Sequence, residues 1–148
     1  MNDLYETDIL LWSEKQAELL RRLARGERVN AEIDWENLVE EVESVGREQL
    51  HAVESLLLQA LIHLLKAEAW PDLRDAPNWR SDAGVFRIQA RKRYVPSMRQ
   101  RLDLDQIYRE ARGVLPERMD GHPPRAVPEV CPMTLDELLS LRKAGTSG

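Results

Sequence analysis

Asp8 and Gln16 near the N-terminus, and Glu41 and His63 further on, stand at or beside positions where a helical repeat calls for apolar residues. A polar group buried without a partner costs on the order of several kcal/mol, so each of these side chains should find one. Carboxylates and an imidazole turned inward from helices are also the raw material of a metal or acid/base site. Glu40, Glu43 and Lys66 extend the set, giving a candidate polar network of Asp8, Gln16, Glu40, Glu41, Glu43, His63 and Lys66.

Spacing argues for a satisfied structural network over a metal centre. Glu41 and His63 are 22 positions apart on one expected helix, roughly 33 Å of axial rise, and share a site only if that helix breaks at Gly46. His51 falls on a solvated stretch and His122 in a proline-rich loop. No Glu-x-x-His or His-Glu-x-x-His spacing occurs, and the seven glycines form no phosphate-binding loop, so neither metal nor nucleotide cofactor is expected. Glu43 has a local partner in Arg47 four residues on, whereas Glu41 has none nearby in sequence.

The second constellation is charge segregation. Residues 80–101 hold seven basic side chains against Asp82 alone, a net +6, in a chain whose total is −5. Arg80, Arg87, Arg91, Lys92 and Arg93 form a candidate basic face able to lie on a nucleic-acid backbone. The alternative is internal: Arg87 and Arg91, at i and i+4, pairing with acids of the first two helices such as Asp8, Glu40, Glu41 or Glu43. The sequence pI of about 5.3 disfavours general affinity for polyanions.

The elements that must position these residues read as helices throughout. Tyr5, Ile9, Trp12, Leu19, Leu20 and Leu23 give one apolar face from Leu4 to about Arg25, ended by Gly26. Asp34 is a suitable N-cap for a long central helix reaching about Ala69, with Leu38, Val42, Val45, Val53, Leu56, Ala60 and Leu64 as the core-facing stripe and Gly46 marking a kink or close approach. Trp70–Asn78 is expected as a loop and Ser81 or Asp82 to Tyr94 as a third helix. A fourth runs from Pro96 to about Glu117, with an interruption near Asp103. An extended proline-rich connection follows, and the Thr134/Glu137 capping box starts a last helix, Leu135 to about Arg142. The expected fold is an all-α irregular bundle of about five helices around one long central helix: a single domain over residues 1–142 with a tail at 143–148.

Tyr5-Glu6-Thr7-Asp8 with Trp12 and Gln16, the run from Leu38 to Arg47, His63-Leu64-Leu65-Lys66, Trp79-Arg80 and Pro128-Glu129-Val130-Cys131-Pro132 together resemble the bacterial family called domain of unknown function 29. The resemblance covers nearly the whole chain and implies an all-helical fold with no assigned activity. It departs from the family's usual pattern at Met133 and at Val85-Phe86.

Bulk properties bound the rest. The 148 residues suffice for a sizeable core without a staple. The single cysteine, Cys131, excludes an internal disulfide and reads as a half-buried packing residue in a reducing compartment. No apolar run approaches the length expected of a bilayer span, and the N-terminus lacks a basic leader, so a cytoplasmic location without membrane contact is expected. Three readings of function stand. The leading one is a non-enzymatic protein-binding or regulatory module, with homodimerisation open. The second is nucleic-acid binding through residues 80–101, and the third is a metal-dependent hydrolase with its metal near His63.

Overall fold

The computed structural model describes residues 3–140, with side chains from Leu4 onward. Six α-helices lie within that range: α1 (Asp3–Thr7), α2 (Ile9–Ala24), α3 (Trp35–Ala69), α4 (Ala76–Arg93), α5 (Leu104–Gly113) and α6 (Leu135–Ser140), with 3-10 turns at Asn30–Glu32 and Pro96–Met98. No strand occurs among the described residues; the one β-type pairing is Met119 with His122. The expected end of the last helix at Arg142, and the tail at 143–148, lie outside the described residues. The chain divides into two compact units, the first ending at Arg47 and the second beginning at Glu48.

Where the element boundaries differ from the sequence reading, capping chemistry explains the difference. The first expected helix is two, because Asp8 leaves helical geometry and its carboxylate accepts the Leu11 N–H at 3.1 Å, capping α2. Gly26 ends α2 at φ +90°, with the Glu27 and Gly26 N–H groups donating to the Arg22 and Leu23 carbonyls at 3.0 and 2.9 Å. The third helix starts at Ala76, ahead of expectation. Pro77 sits in its first turn, where the missing N–H has no helical partner to lose. The fourth expected helix is a 3-10 turn and then α5, separated where Asp103 accepts the Gln106 N–H at 3.1 Å as an N-cap. Asp120 and Gly121, at φ 49° and 80°, make a tight turn that exchanges two backbone hydrogen bonds between Met119 and His122.

The first unit buries Trp12, Val29 and Ile33, with Gln16 as its buried polar side chain. In the second unit, Val53, Leu57, Leu61 and Leu65 of α3, spaced every fourth residue, meet Ala90 of α4, Met98, Ile107, Tyr108 and Ala111 of α5, and Leu138 and Leu139 of α6. The Tyr108 hydroxyl donates to the Pro128 carbonyl at 2.6 Å, so the proline-rich connection closes over this core. At the far end of α3, the Arg125 N–H donates to the Ala69 carbonyl at 2.8 Å and the Trp70 indole to the His122 carbonyl at 3.0 Å. By length and composition α3 could cross a bilayer, contrary to the expectation from the sequence. Of its apolar residues, Val53, Leu57, Leu61 and Leu65 are buried in this core, and Leu56, Leu58, Ile62 and Leu64 are partly buried against it.

Candidate functional site

The N-terminal polar candidates come together in the first unit, in two clusters. Asp34, just before α3, is the hub of one. Its Oδ2 accepts the Trp12 indole N–H at 3.0 Å and the Asn37 amide at 2.8 Å, while its backbone N–H donates to Gln16 Oε1 at 2.8 Å. Gln16 is thus the paired buried group that its place on the apolar stripe demanded. In the other cluster, the Tyr5 hydroxyl donates to Glu41 Oε1 at 2.6 Å, and Ser44 donates to the Glu41 carbonyl and, at 3.4 Å, to Oε2. The edge of Tyr5 meets Trp12 with ring centroids 4.8 Å apart. Because it donates to the Glu41 carboxylate, with burial and nearby acids adding to the effect, the Tyr5 phenol is pushed up to about 12.

Asp8, Glu40 and Glu43 stand apart from these clusters. Asp8 is an exposed helix cap, while Glu40 and Glu43 both pair with Arg47 on the surface, Glu43 at 3.7 Å. Asp8, Asp34, Glu40, Glu41 and Glu43 are thus held in hydrogen bonds, a cap or ion pairs. Apolar side chains of α3 are left open: Trp35, Val39, Val42 and Val45 are 43%, 53%, 67% and 61% exposed. Trp35, Val39, Val42 and Gly46 follow at intervals of four, three and four, hence on one face of α3, with Val45 at its edge. The sequence reading placed Val42 and Val45 in the core; the structure turns them outward. Gly46 has no atom close enough to touch an added Cβ, and the helix runs through it, so this chain's own packing does not require a glycine there.

His63 and Lys66 belong to the second unit. His63 is half-buried, tilted against Phe86 at 5.2 Å, and its Nδ1 lies 2.7 Å from the Gln59 carbonyl one turn back. Its hydrogen-bond partner thus lies on its own helix. That carbonyl can only accept, so Nδ1 is the donor. Lys66 lies in the last turn of α3, where a cation complements the helix dipole. Among the described residues no three His, Cys, Asp or Glu side chains gather as a ligand set.

The basic segment is not one face. Arg87 donates from Nε to the Leu138 carbonyl at 2.8 Å and from Nη2 to the Glu137 carbonyl at 2.8 Å, tying α4 to the backbone of α6; burial lowers its pKa. The expected pairing of Arg87 with acids of the first two helices is therefore replaced by hydrogen bonds to backbone carbonyls within the second unit. Arg99 pairs with Asp136 at 2.6 Å and pulls that carboxyl below its ordinary value. Arg80, Arg91, Lys92 and Arg93 are exposed, with no hydrogen-bond or ion-pair partner among the described residues. Cys131 packs half-buried against the core, burial raising its pKa, and its thiol donates to the Met133 carbonyl at 3.3 Å.

These features define an all-helical protein whose inward acids are structural and whose open surfaces are an apolar helix face and a set of unpaired cations. The chain belongs to the family described as Domain of unknown function DUF29, which matches residues 4–142. It is similar over 93% of its length, with a TM-score of 0.64 and 26% identity, to an alpha-helical protein of unknown function from Rhodospirillum rubrum ATCC 11170, 89% of which is covered. No curated protein matches it.

Proposed function

We propose that this protein is a non-enzymatic protein-binding module that receives an amphipathic helix from a partner on the exposed face of α3. The observation that carries the reading is the apolar row Trp35, Val39, Val42 and Val45, left open in a helix whose later apolar residues are buried. A helix laid in such a face reads anchors at intervals of three and four residues. Gly46 on the same face lets a second backbone approach closely, a use that offsets its cost of about 1 kcal/mol in a helix interior. The unit that carries the row has twelve acids against six basic residues, so the fitting partner is an apolar helix flanked by lysine or arginine. Tyr5, Trp12, Gln16 and Asn37 fix the start of α3 from behind, leaving the face preorganised.

The test uses a synthetic helical peptide with a leucine face and lysine flanks, and a control with glutamate flanks. Binding should shift Trp35 emission to the blue, weaken with salt and disappear in Val42→Asp, while the glutamate-flanked peptide leaves the emission unchanged. Equal response to both peptides, or none to either, overturns the reading. Self-association abolished by Val42→Asp would identify the occupant as a second copy and overturn the basic partner.

A further inference from the structure

A groove of about 570 Å³ lies in the second unit between α3 and α4. Ala52, Ser55 and Leu56 line it from α3, and Gln89, Lys92 and Arg93 from α4. Each trio has spacing i, i+3 and i+4, so each is one helix face turned to the other. The lining contains two cations, a hydroxyl and an amide, and no acid. None of these four polar side chains has a hydrogen-bond or ion-pair partner among the described residues, whereas Arg87 and Arg99, to either side in sequence, both do.

We propose that this groove binds a phosphomonoester with an apolar or planar body. Such a phosphate carries a charge of about −1.5 to −2 at neutral pH, which Lys92 and Arg93 together balance. The guanidinium offers a planar fork to two phosphate oxygens and the ammonium a point charge. Ser55 and Gln89 add neutral donors, and Leu56 and Ala52 supply an apolar wall for the body of the ligand. The volume falls within the roughly 300–1,000 Å³ typical of small-ligand sites. Complementing the C-terminal dipole of α4 accounts for a cation in its last turn, but equally for Arg91, which lines a different groove; it does not account for a hydroxyl, an amide and two cations around one groove. A polyanionic strand is the poorer fit, because the chain carries a net charge of −5.

The inference is tested with phenyl phosphate, inorganic phosphate and a single-stranded oligonucleotide, titrated into the full chain at constant ionic strength while backbone amide resonances are followed. Phenyl phosphate should shift Ser55 and Gln89, bind more tightly than inorganic phosphate, and weaken as pH falls through about 6, where the dianion takes up a proton. Lys92→Gln with Arg93→Gln should weaken it by about tenfold or more without changing the unfolding midpoint, since both side chains are exposed. Arg80→Gln with Arg91→Gln should leave it unchanged. Loss of affinity equal in the two double variants, shifts scattered over the basic surface, tighter binding of the oligonucleotide, or no response to phenyl phosphate would each overturn the assignment.

Discussion

The indole N–H of Trp12 donates to Asp34 Oδ2 at 3.0 Å across 22 residues of chain, from the inner face of α2 to the residue before α3. Gln16, one turn beyond Trp12, accepts the Asp34 backbone N–H at 2.8 Å, so two turns of α2 hold one residue through both its side chain and its backbone. Replacing Gln16 by Leu keeps the volume but leaves that N–H without its acceptor. The expected loss is roughly 1–3 kcal/mol in urea unfolding, and Trp12→Phe, which strips the carboxylate of a donor, should fall in the same range. A change below about 0.5 kcal/mol in both would show that the hub does not hold the unit.

Tyr5 supplies the pH dependence. Its folded-state pKa is raised from 10.0 to about 12, so the neutral phenol is favoured by folding. The associated stability is complete below about pH 10 and is lost as pH rises towards about 12. Burial also raises the Tyr108 phenol, so a phenolate absorbance titration should show two tyrosines ionising late, and Tyr5→Phe should remove one of the two. Glu41→Gln should bring Tyr5 back towards the ordinary value, because the hydrogen bond to Glu41 is the largest cause of the shift.

Arg87→Ala should destabilise the second unit by roughly 1.5–3 kcal/mol, the range for hydrogen bonds from a charged group. The Leu138 and Glu137 carbonyls each lose the arginine as a donor, although Glu137 still accepts from the Ser140 hydroxyl. Arg80→Ala, exposed and unpartnered, should change stability by under about 0.5 kcal/mol. Thermal unfolding of the two variants side by side separates a backbone-bonded arginine from a solvent-facing one, and equal midpoints would contradict the contacts of Arg87 with Leu138 and Glu137.

Gly46→Ala separates folding from binding. Since nothing lies within reach of the added methyl, the substitution should raise stability by about 1 kcal/mol while weakening the lysine-flanked peptide on the same face. A stabilised variant that binds the peptide as the wild type does would remove Gly46 from the docking surface.

Leu57→Ala tests the core. The side chain is 0% exposed and central to the cluster with Tyr108 and Leu138, so a loss of about 2–5 kcal/mol is expected in chemical unfolding.

Local chemistry made much of this protein legible without its fold. The absence of proline between Asp34 and Ala69, with leucine, glutamate and alanine throughout, determined α3; Gly26, Asp103 and the Thr134/Glu137 pair determined where helices end and begin, because caps and glycine turns act within a few residues. The place of Gln16 on an apolar stripe already required a partner, since burial of an amide demands one. Which partner it found was a matter of tertiary structure. Asp34 reaches Trp12 and Gln16 only when the turn after Gly26 returns the chain, and nothing in their spacing distinguishes that pairing from others. Periodicity likewise marked Val42, Val45 and Val53 as one apolar series but could not say that the first two face outward, because a helical repeat records phase and not what packs against it. The basic segment read as one face for the same reason. Only the position of α6 decided that Arg87 donates to its carbonyls while Lys92 and Arg93 face α3 across an open groove.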